Sequence, residues 1–120
     1  MAKILLVEDN ESNRKAMVRI LESDGNFVQW VDSGEVAISL VAEHGTDYNV
    51  ILMDIRLPGM DGIETTANLR QSGFQGPIII LTADDLDSCK QKADEAGCSD
   101  IRNKPIKSKE LRAIIRHYFK

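Results

Sequence analysis

Glu8, Asp9, Asp54, Thr82 and Lys104 each follow a short strand-like run. Lys3–Val7 leads into Glu8 and Asp9, Val50–Met53 into Asp54, Pro77–Leu81 into Thr82, and Ile101–Asn103 into Lys104. Three carboxylates, a hydroxyl and an ammonium are the parts that bind a hard divalent cation and a phosphoryl group together. Carboxylates within a few ångströms of one another raise the pKa of at least one of them unless a cation compensates. Oxygen-only ligands select a hard ion; Mg²⁺, or Mn²⁺ in its place, takes one or two carboxylates, keeps water and accepts a phosphate oxygen. A carboxylate neutralised in this way is a competent phosphoryl acceptor and forms an aspartyl-phosphate. Asp54 is the candidate nucleophile, because four consecutive apolar residues hold it at a strand end and the loop beyond leaves its oxygens accessible. Lys104 offers a point charge for a phosphoryl oxygen, and Thr82 offers one donor whose rotation can report occupancy. Ala83 is small enough to leave an access path.

These side chains meet only if their strands lie side by side. Buried parallel strands read as continuous Val/Ile/Leu runs, and ligands of open α/β sheets sit beyond the carboxyl ends of the strands. Here five apolar runs alternate with five helix-period segments, the pattern of βα units and a parallel sheet. Ala16, Met17, Ile20 and Leu21 recur at helical spacing, and Gly25-Asn26 ends that first helix before a strand over Phe27–Val31. Val36, Ala37, Leu40 and Val41 are expected to form the buried face of the second helix, with Gly45 as its stop. Pro58 and Gly59 impose a loop after Asp54, and Asp61, with Glu64 three residues on, is placed to cap a third helix that runs to about Gln71. A polar fourth helix over Ser88–Ala96 ends at Gly97. Its inner face carries only Cys89, Ala93 and Ala96, so it should be the most weakly anchored. Ser108 is expected to cap the last helix, whose apolar stripe is Leu111, Ile114, Ile115, Tyr118 and Phe119.

At 120 residues the chain is expected to be a single domain over 1–120. A hydrophobic fraction of 42% with 28% charged residues is globular rather than disordered. The net charge of −4 and the scattered basic residues argue against direct nucleic-acid binding. The first strand is too short, and too soon followed by acids, for a signal peptide or membrane span, which points to a cytoplasmic protein without membrane insertion. Cys89 and Cys98 lack CxxC spacing and read as partly buried thiols. His44 and His117 have no carboxylate at evident spacing, and Trp30 reads as packing rather than recognition.

Ile4–Asn10, Ile51–Asp54, Leu57–Gly62, Ile80–Ala83 and Lys104-Pro105 resemble the receiver domain of two-component response regulators, and the resemblance covers essentially the whole chain. It implies a flavodoxin-like, doubly wound (βα)5 sandwich with a parallel sheet of order 2-1-3-4-5. It further implies Mg²⁺ held by Glu8, Asp9, Asp54 and the backbone carbonyl of Arg56, with Thr82 and Lys104 completing the site and a cis peptide at Lys104-Pro105. By the same resemblance, Asp54 takes a phosphoryl group from a phosphohistidine, so the chain is a signalling phosphoacceptor that catalyses only its own phosphorylation and slow dephosphorylation. The implied partners are a histidine kinase or histidine phosphotransfer protein and a downstream protein effector. The upstream partner would dock on the first helix around Asn13 and Arg14, while Met17 is better suited to the core. Glu8–Asn10, Asn13-Arg14 and Lys104–Ile106 resemble phosphorelay, stand-alone and hybrid-kinase receivers more than those joined to DNA-binding domains. A stand-alone regulator, monomeric or weakly dimeric, is the first expectation; a receiver from a hybrid kinase or from the front of a larger regulator is the alternative.

Two positions depart from the common pattern. Receivers often carry Tyr or Phe three residues before the lysine, where this chain has Ile101, which has no polar tip to swing. Thr82 is then expected to pull its own loop and the fourth helix, giving a smaller shift of the surface formed by helix four, strand five and helix five. Arg56, two residues after the acceptor, reads either as a solvated loop charge paired with Asp84 or Asp85, or as a group that screens the phosphoryl and slows its loss. Two other classes fit less well. A haloacid-dehalogenase-like phosphatase would show DxDxT, whereas Asp54 is followed by Ile55-Arg56-Leu57. A flavin module needs a phosphate-cradling loop where this chain has Glu8 and Asp9.

Overall fold

The computed structural model describes residues 2–119. Strands β1 (Lys3–Val7), β2 (Phe27–Val31), β3 (Val50–Asp54), β4 (Ile78–Thr82) and β5 (Asp100–Asn103) form one sheet. All neighbours pair in parallel and the order is β2-β1-β3-β4-β5, as the flavodoxin-like reading requires. Helices α1 (Glu11–Ser23), α2 (Gly34–His44), α3 (Gly62–Gln71), α4 (Leu86–Ala96) and α5 (Ser108–Tyr118) follow the strands in turn.

Alternate residues of a strand point to opposite faces, so each apolar run feeds two cores. Leu5, Val7, Ile51, Met53, Ile78 and Ile80 pack with Ala37, Val41 and Leu69 on the α2–α4 side. Ile4, Leu6, Val50, Leu52, Ile79 and Leu81 pack with Met17, Leu21, Leu111, Ile114 and Ile115 on the α1/α5 side. The central strands β1, β3 and β4 therefore hold their terminal residues on a support buried from both faces.

The edge strand β2 behaves differently from the buried strand expected. Phe27 is 66% and Trp30 46% exposed. Trp30 is covered by Arg14, whose guanidinium lies 3.7 Å from the ring centroid, instead of packing in the core. Val36 is 45% exposed, because a helix beside an edge strand has no further strand to cover; the buried residues of α2 are Gly34, Ala37 and Val41. Ala16 is likewise exposed and Ile20 only half-buried, so Met17 and Leu21 alone are fully buried in α1.

Capping follows local chemistry, with some shifts of boundary. Asn10, Ser33 and Asp61 accept backbone N–H bonds from Asn13, Val36 and Glu64. Asp85 caps α4, which starts two residues earlier than the Ser88 expected. Ser108 is the first residue of α5 and not its cap; Lys107 holds the cap position without a side-chain bond, and the amphipathic stripe carries that helix instead. Only Ala93 of α4 is fully buried, in keeping with a weak anchor. His44 does lie near carboxylates, 3.6 Å from Glu43 and 3.8 Å from Asp47, all exposed. No helix among the described residues is long and apolar enough to cross a membrane.

Gly62 decides how α3 meets the sheet. A Cβ there would lie 2.0 Å from the Asp54 carbonyl oxygen, and its N–H donates to the Ile55 carbonyl at 2.8 Å. Gly62→Ala should therefore push α3 off the end of β3 and cost about 1–3 kcal/mol, read as a fall in the urea midpoint at unchanged slope.

Candidate functional site

The parallel register pairs Val7 with Met53, so the next residues, Glu8 and Asp54, leave neighbouring strands side by side. Carboxylate oxygens of Glu8, Asp9 and Asp54 lie within 4.8 Å of one another. Glu8 is 1% and Asp54 7% exposed, whereas Asp9 faces solvent. Asn10 caps α1, so Asp9 is not taken up as that helix's cap.

Lys104 enters from β5, whose Asn103 pairs with Thr82, and its backbone N–H donates to the Thr82 carbonyl at 2.7 Å. Its Nζ reaches Glu8 Oε1 at 2.6 Å and Asp54 Oδ2 at 3.1 Å. The second Glu8 oxygen accepts the Asn10 N–H at 3.2 Å, and Asp54 Oδ1 accepts the Arg56 N–H at 3.3 Å. Thr82 is fully buried, and its Oγ1 accepts the Asp84 N–H at 2.9 Å. The Lys104-Pro105 peptide is cis. Sequence reasoning thus placed Glu8, Asp9, Asp54, Thr82 and Lys104 at one rim, and the structure brings all five together.

Burial pushes the Asp54 carboxyl up to about 6, and Glu8 beside it adds to the shift while Lys104 opposes it. Burial disfavours the Lys104 ammonium, yet Glu8 and Asp54 outweigh that and raise its pKa. One ammonium faces three carboxylates, an excess of two negative charges when all are ionised. A hard divalent cation matches both the all-oxygen donor set and that excess.

The positions expected to modulate the site are also placed. Arg56 selects Asp84 over Asp85, with Nε 2.9 Å from Asp84 Oδ1 and Nη2 bonded to the same oxygen. Ile101 is buried in the α2–α4-side core. Ala83 is exposed and, with Asn13, Ala16, Met17, Ile20 and Lys104, lines a groove of about 380 Å³ beside the acidic cluster. Asn13 is open to a partner there, whereas Arg14 is taken up by Trp30. One residue of the rim escaped the sequence reading, and another was read there only as a charge partner for Arg56. Asn103 donates to the carbonyls of Asp84 at 3.0 Å and Thr82 at 3.4 Å, and Asp84 gathers bonds from three directions. Adjacency to Lys104 was the only signal for Asn103, and opposite charge to Arg56 the only one for Asp84.

Comparison with known proteins agrees with this geometry. The family model for the response regulator receiver domain matches residues 4–116. The chain belongs to that family. It is 39% identical over 117 residues to the autoinducer 2 sensor kinase/phosphatase LuxQ of Vibrio vulnificus, a match covering 97% of this chain but 13% of that protein. The two-component response regulator ORR41 of Oryza sativa is 33% identical over 120 residues, covering 98% of this chain and 94% of the relative. The receiver domain of sensor histidine kinase PA1611 from Pseudomonas aeruginosa PAO1, with a magnesium ion coordinated in its active site cleft, superposes with a TM-score of 0.89. It is 36% identical, covering 98% of this chain and 96% of that one. This receiver is thus similar both to regulators of its own length and to segments of much larger kinases.

The crowding makes Asp54 costly to ionise. Its folded pKa of about 6 exceeds its ordinary 3.8, so the folded receiver holds a proton the unfolded chain releases. The contribution to stability is complete below the ordinary value and is lost as pH rises through about 6. In chelator, wild-type stability should fall across that window, and Asp54→Asn should flatten the fall and stabilise the protein at pH 7 by on the order of 1–3 kcal/mol, measured by urea unfolding.

Proposed function

We propose that this receiver takes a phosphoryl group from a phosphohistidine onto Asp54, with Mg²⁺ or Mn²⁺, and signals by protein contact. The carrying observation is the single Lys104 ammonium shared by two buried carboxylates beside a third that faces solvent. Glu8, Asp9, Asp54 and the Arg56 carbonyl would hold the ion, which when bound supplies positive charge to the carboxylates and to the phosphoryl oxygens.

The chain's own groups do the rest. An Asp54 oxygen attacks phosphorus in line; the phosphorus–nitrogen bond breaks, and the departing imidazole keeps the electron pair and accepts a proton. Lys104 turns from Glu8 toward a phosphoryl oxygen, and the Thr82 hydroxyl donates to another. Ala83 leaves the line of approach open. The donor is a histidine kinase or histidine phosphotransfer protein, seated on α1 around Asn13 and the adjoining groove, and the recipient of the signal is a protein effector. The resemblance to ORR41 along nearly its whole length supports a stand-alone regulator. The match to LuxQ supports the alternative, a receiver within a hybrid kinase. Two free cysteines are in keeping with a reducing cytoplasm.

Incubation with acetyl phosphate and Mg²⁺ should add one phosphoryl mass at Asp54. Chelator, or Asp54→Ala, should abolish it, and label elsewhere would overturn the assignment. Arg56, exposed and beside the site, supplies positive charge that screens the acyl phosphate. Arg56→Asn should shorten the phosphoprotein half-life by about two- to fivefold, timed by release of phosphate, and an unchanged half-life would remove that role.

A further inference from the structure

We propose that Asp84 is the joint through which occupancy of Asp54 reaches both the loop after β3 and the start of α4, an inference that rests on Asp54 being the phosphoacceptor. Asp84 bonds in three directions. Its N–H donates to Thr82 Oγ1 at 2.9 Å, its carbonyl accepts from Asn103 Nδ2 at 3.0 Å, and its carboxylate holds the Arg56 guanidinium through Nε and Nη2. Arg56 in turn donates its backbone N–H to Asp54 Oδ1 at 3.3 Å. The next residue, Asp85, caps α4 by accepting the Asp87 N–H. A path of bonded groups therefore runs from Thr82 through one residue to two separate loops.

The Arg56–Asp84 pair is poorly defended by itself. The Arg56 side chain is 74% exposed, and exposed ion pairs contribute little unless their geometry is held from elsewhere. What holds it is the backbone of Asp84, pinned by Thr82 on one side and Asn103 on the other. Thr82 is completely buried, so its hydroxyl has few partners from which to choose. Turned toward a phosphoryl oxygen, it stops orienting the Asp84 N–H; the Asp84 backbone then shifts and its carboxylate leaves Arg56.

Ile101 explains why the route passes here. It is packed in the core with no polar tip, so β5 takes part through Asn103 instead. Helix α4 buries only Ala93 completely, so movement of its first turn disturbs only the partly buried Leu86 and Cys89.

Amide hydrogen exchange on the full chain, with Mg²⁺ present throughout and beryllium fluoride as the phosphoryl mimic, tests the joint. In wild type, beryllium fluoride should raise exchange in both 83–88 and 56–60 by about threefold or more. In Asp84→Ala, 56–60 should already exchange fast and no longer respond, while 83–88 still does. Arg56→Gln, which leaves every Asp84 backbone bond in place, should uncouple the two segments in the same way. A wild-type response confined to 83–88, or an unaltered joint response in either variant, would overturn the proposal. Acetyl phosphate labelling of wild type separates the two readings: absence of label at Asp54 overturns the phosphoacceptor assignment itself, whereas label at Asp54 without the coupled response overturns only the joint.

Discussion

One ammonium lies between two carboxylates that water barely reaches, and a third carboxylate stands beside them. Like charges at this spacing separate unless the backbone refuses to let them, because the interaction strengthens as the dielectric falls. The refusal comes from the register of β1 and β3, which carries Glu8 and Asp54 off adjacent strands, both buried on two faces. Lys104 starts two strands away from Asp54, a span of about 10 Å at ordinary strand spacing. Only a long side chain crosses it, and it passes a β4 terminus formed by Thr82 and Ala83, where a bulky residue would stand in the way. Much of the sheet's regularity can be understood as the means of keeping that unfavourable arrangement intact.

The parts legible in the sequence are those governed by strong, local rules. Continuous Val/Ile/Leu runs identified β1, β3 and β4, and their terminal polar residues identified the five members of the rim. Asp61 and Gly97 marked helix ends because an acidic cap and a left-handed glycine act over a single turn. The failures share a different cause. Val36, Ala16 and Trp30 are apolar by composition, but whether an apolar residue is covered depends on which strand lies at the edge, and periodicity carries no strand order. That order came from the family resemblance. Ser108 was misplaced by one position because a cap and a first-turn residue have the same composition, and the tertiary packing of Leu111, Ile114 and Ile115 makes the side-chain cap dispensable. Asn103 was invisible as a partner, and Asp84 was legible only as a charge for Arg56, since their other partners cannot be read from composition and those to Asn103 lie far off in the chain.

Stiffness is distributed unevenly along the strands. At the end of the sheet away from the carboxylates, Arg70 donates to the carbonyls of Gly97, Phe74 and Gly76, at 2.8, 2.9 and 2.7 Å. Those bonds tie the end of α3, the approach to β4 and the end of α4 into one bracket. At the opposite end, the first turn of α4 follows a loop held by Asp84 and capped by Asp85. A helix fixed at its last turn and lightly held at its first responds to a local change by tilting more readily than by sliding. The displacement proposed to begin at Thr82 would therefore be largest near Leu86 and Asp87 and fade toward Gly97.

This asymmetry bears on how a receiver can be similar both to a regulator of its own length and to a small fraction of a kinase. The chemistry is confined to residues at one rim and is supported from below by the chain's own core, so nothing outside is needed to keep the carboxylates together. A surface that tilts at one end presents a graded change to whatever lies against it, and the partner's affinity for the tilted form sets how far the balance moves. On the proposal above, a buried isoleucine and a polar joint stand in this chain where receivers often carry an aromatic lever. The energy available to bias α4 is then limited to a few hydrogen bonds and one exposed ion pair, each worth about a kcal/mol or less. An effector that read this face would then contribute much of the discrimination itself, by binding a tilted α4 more tightly than the resting one.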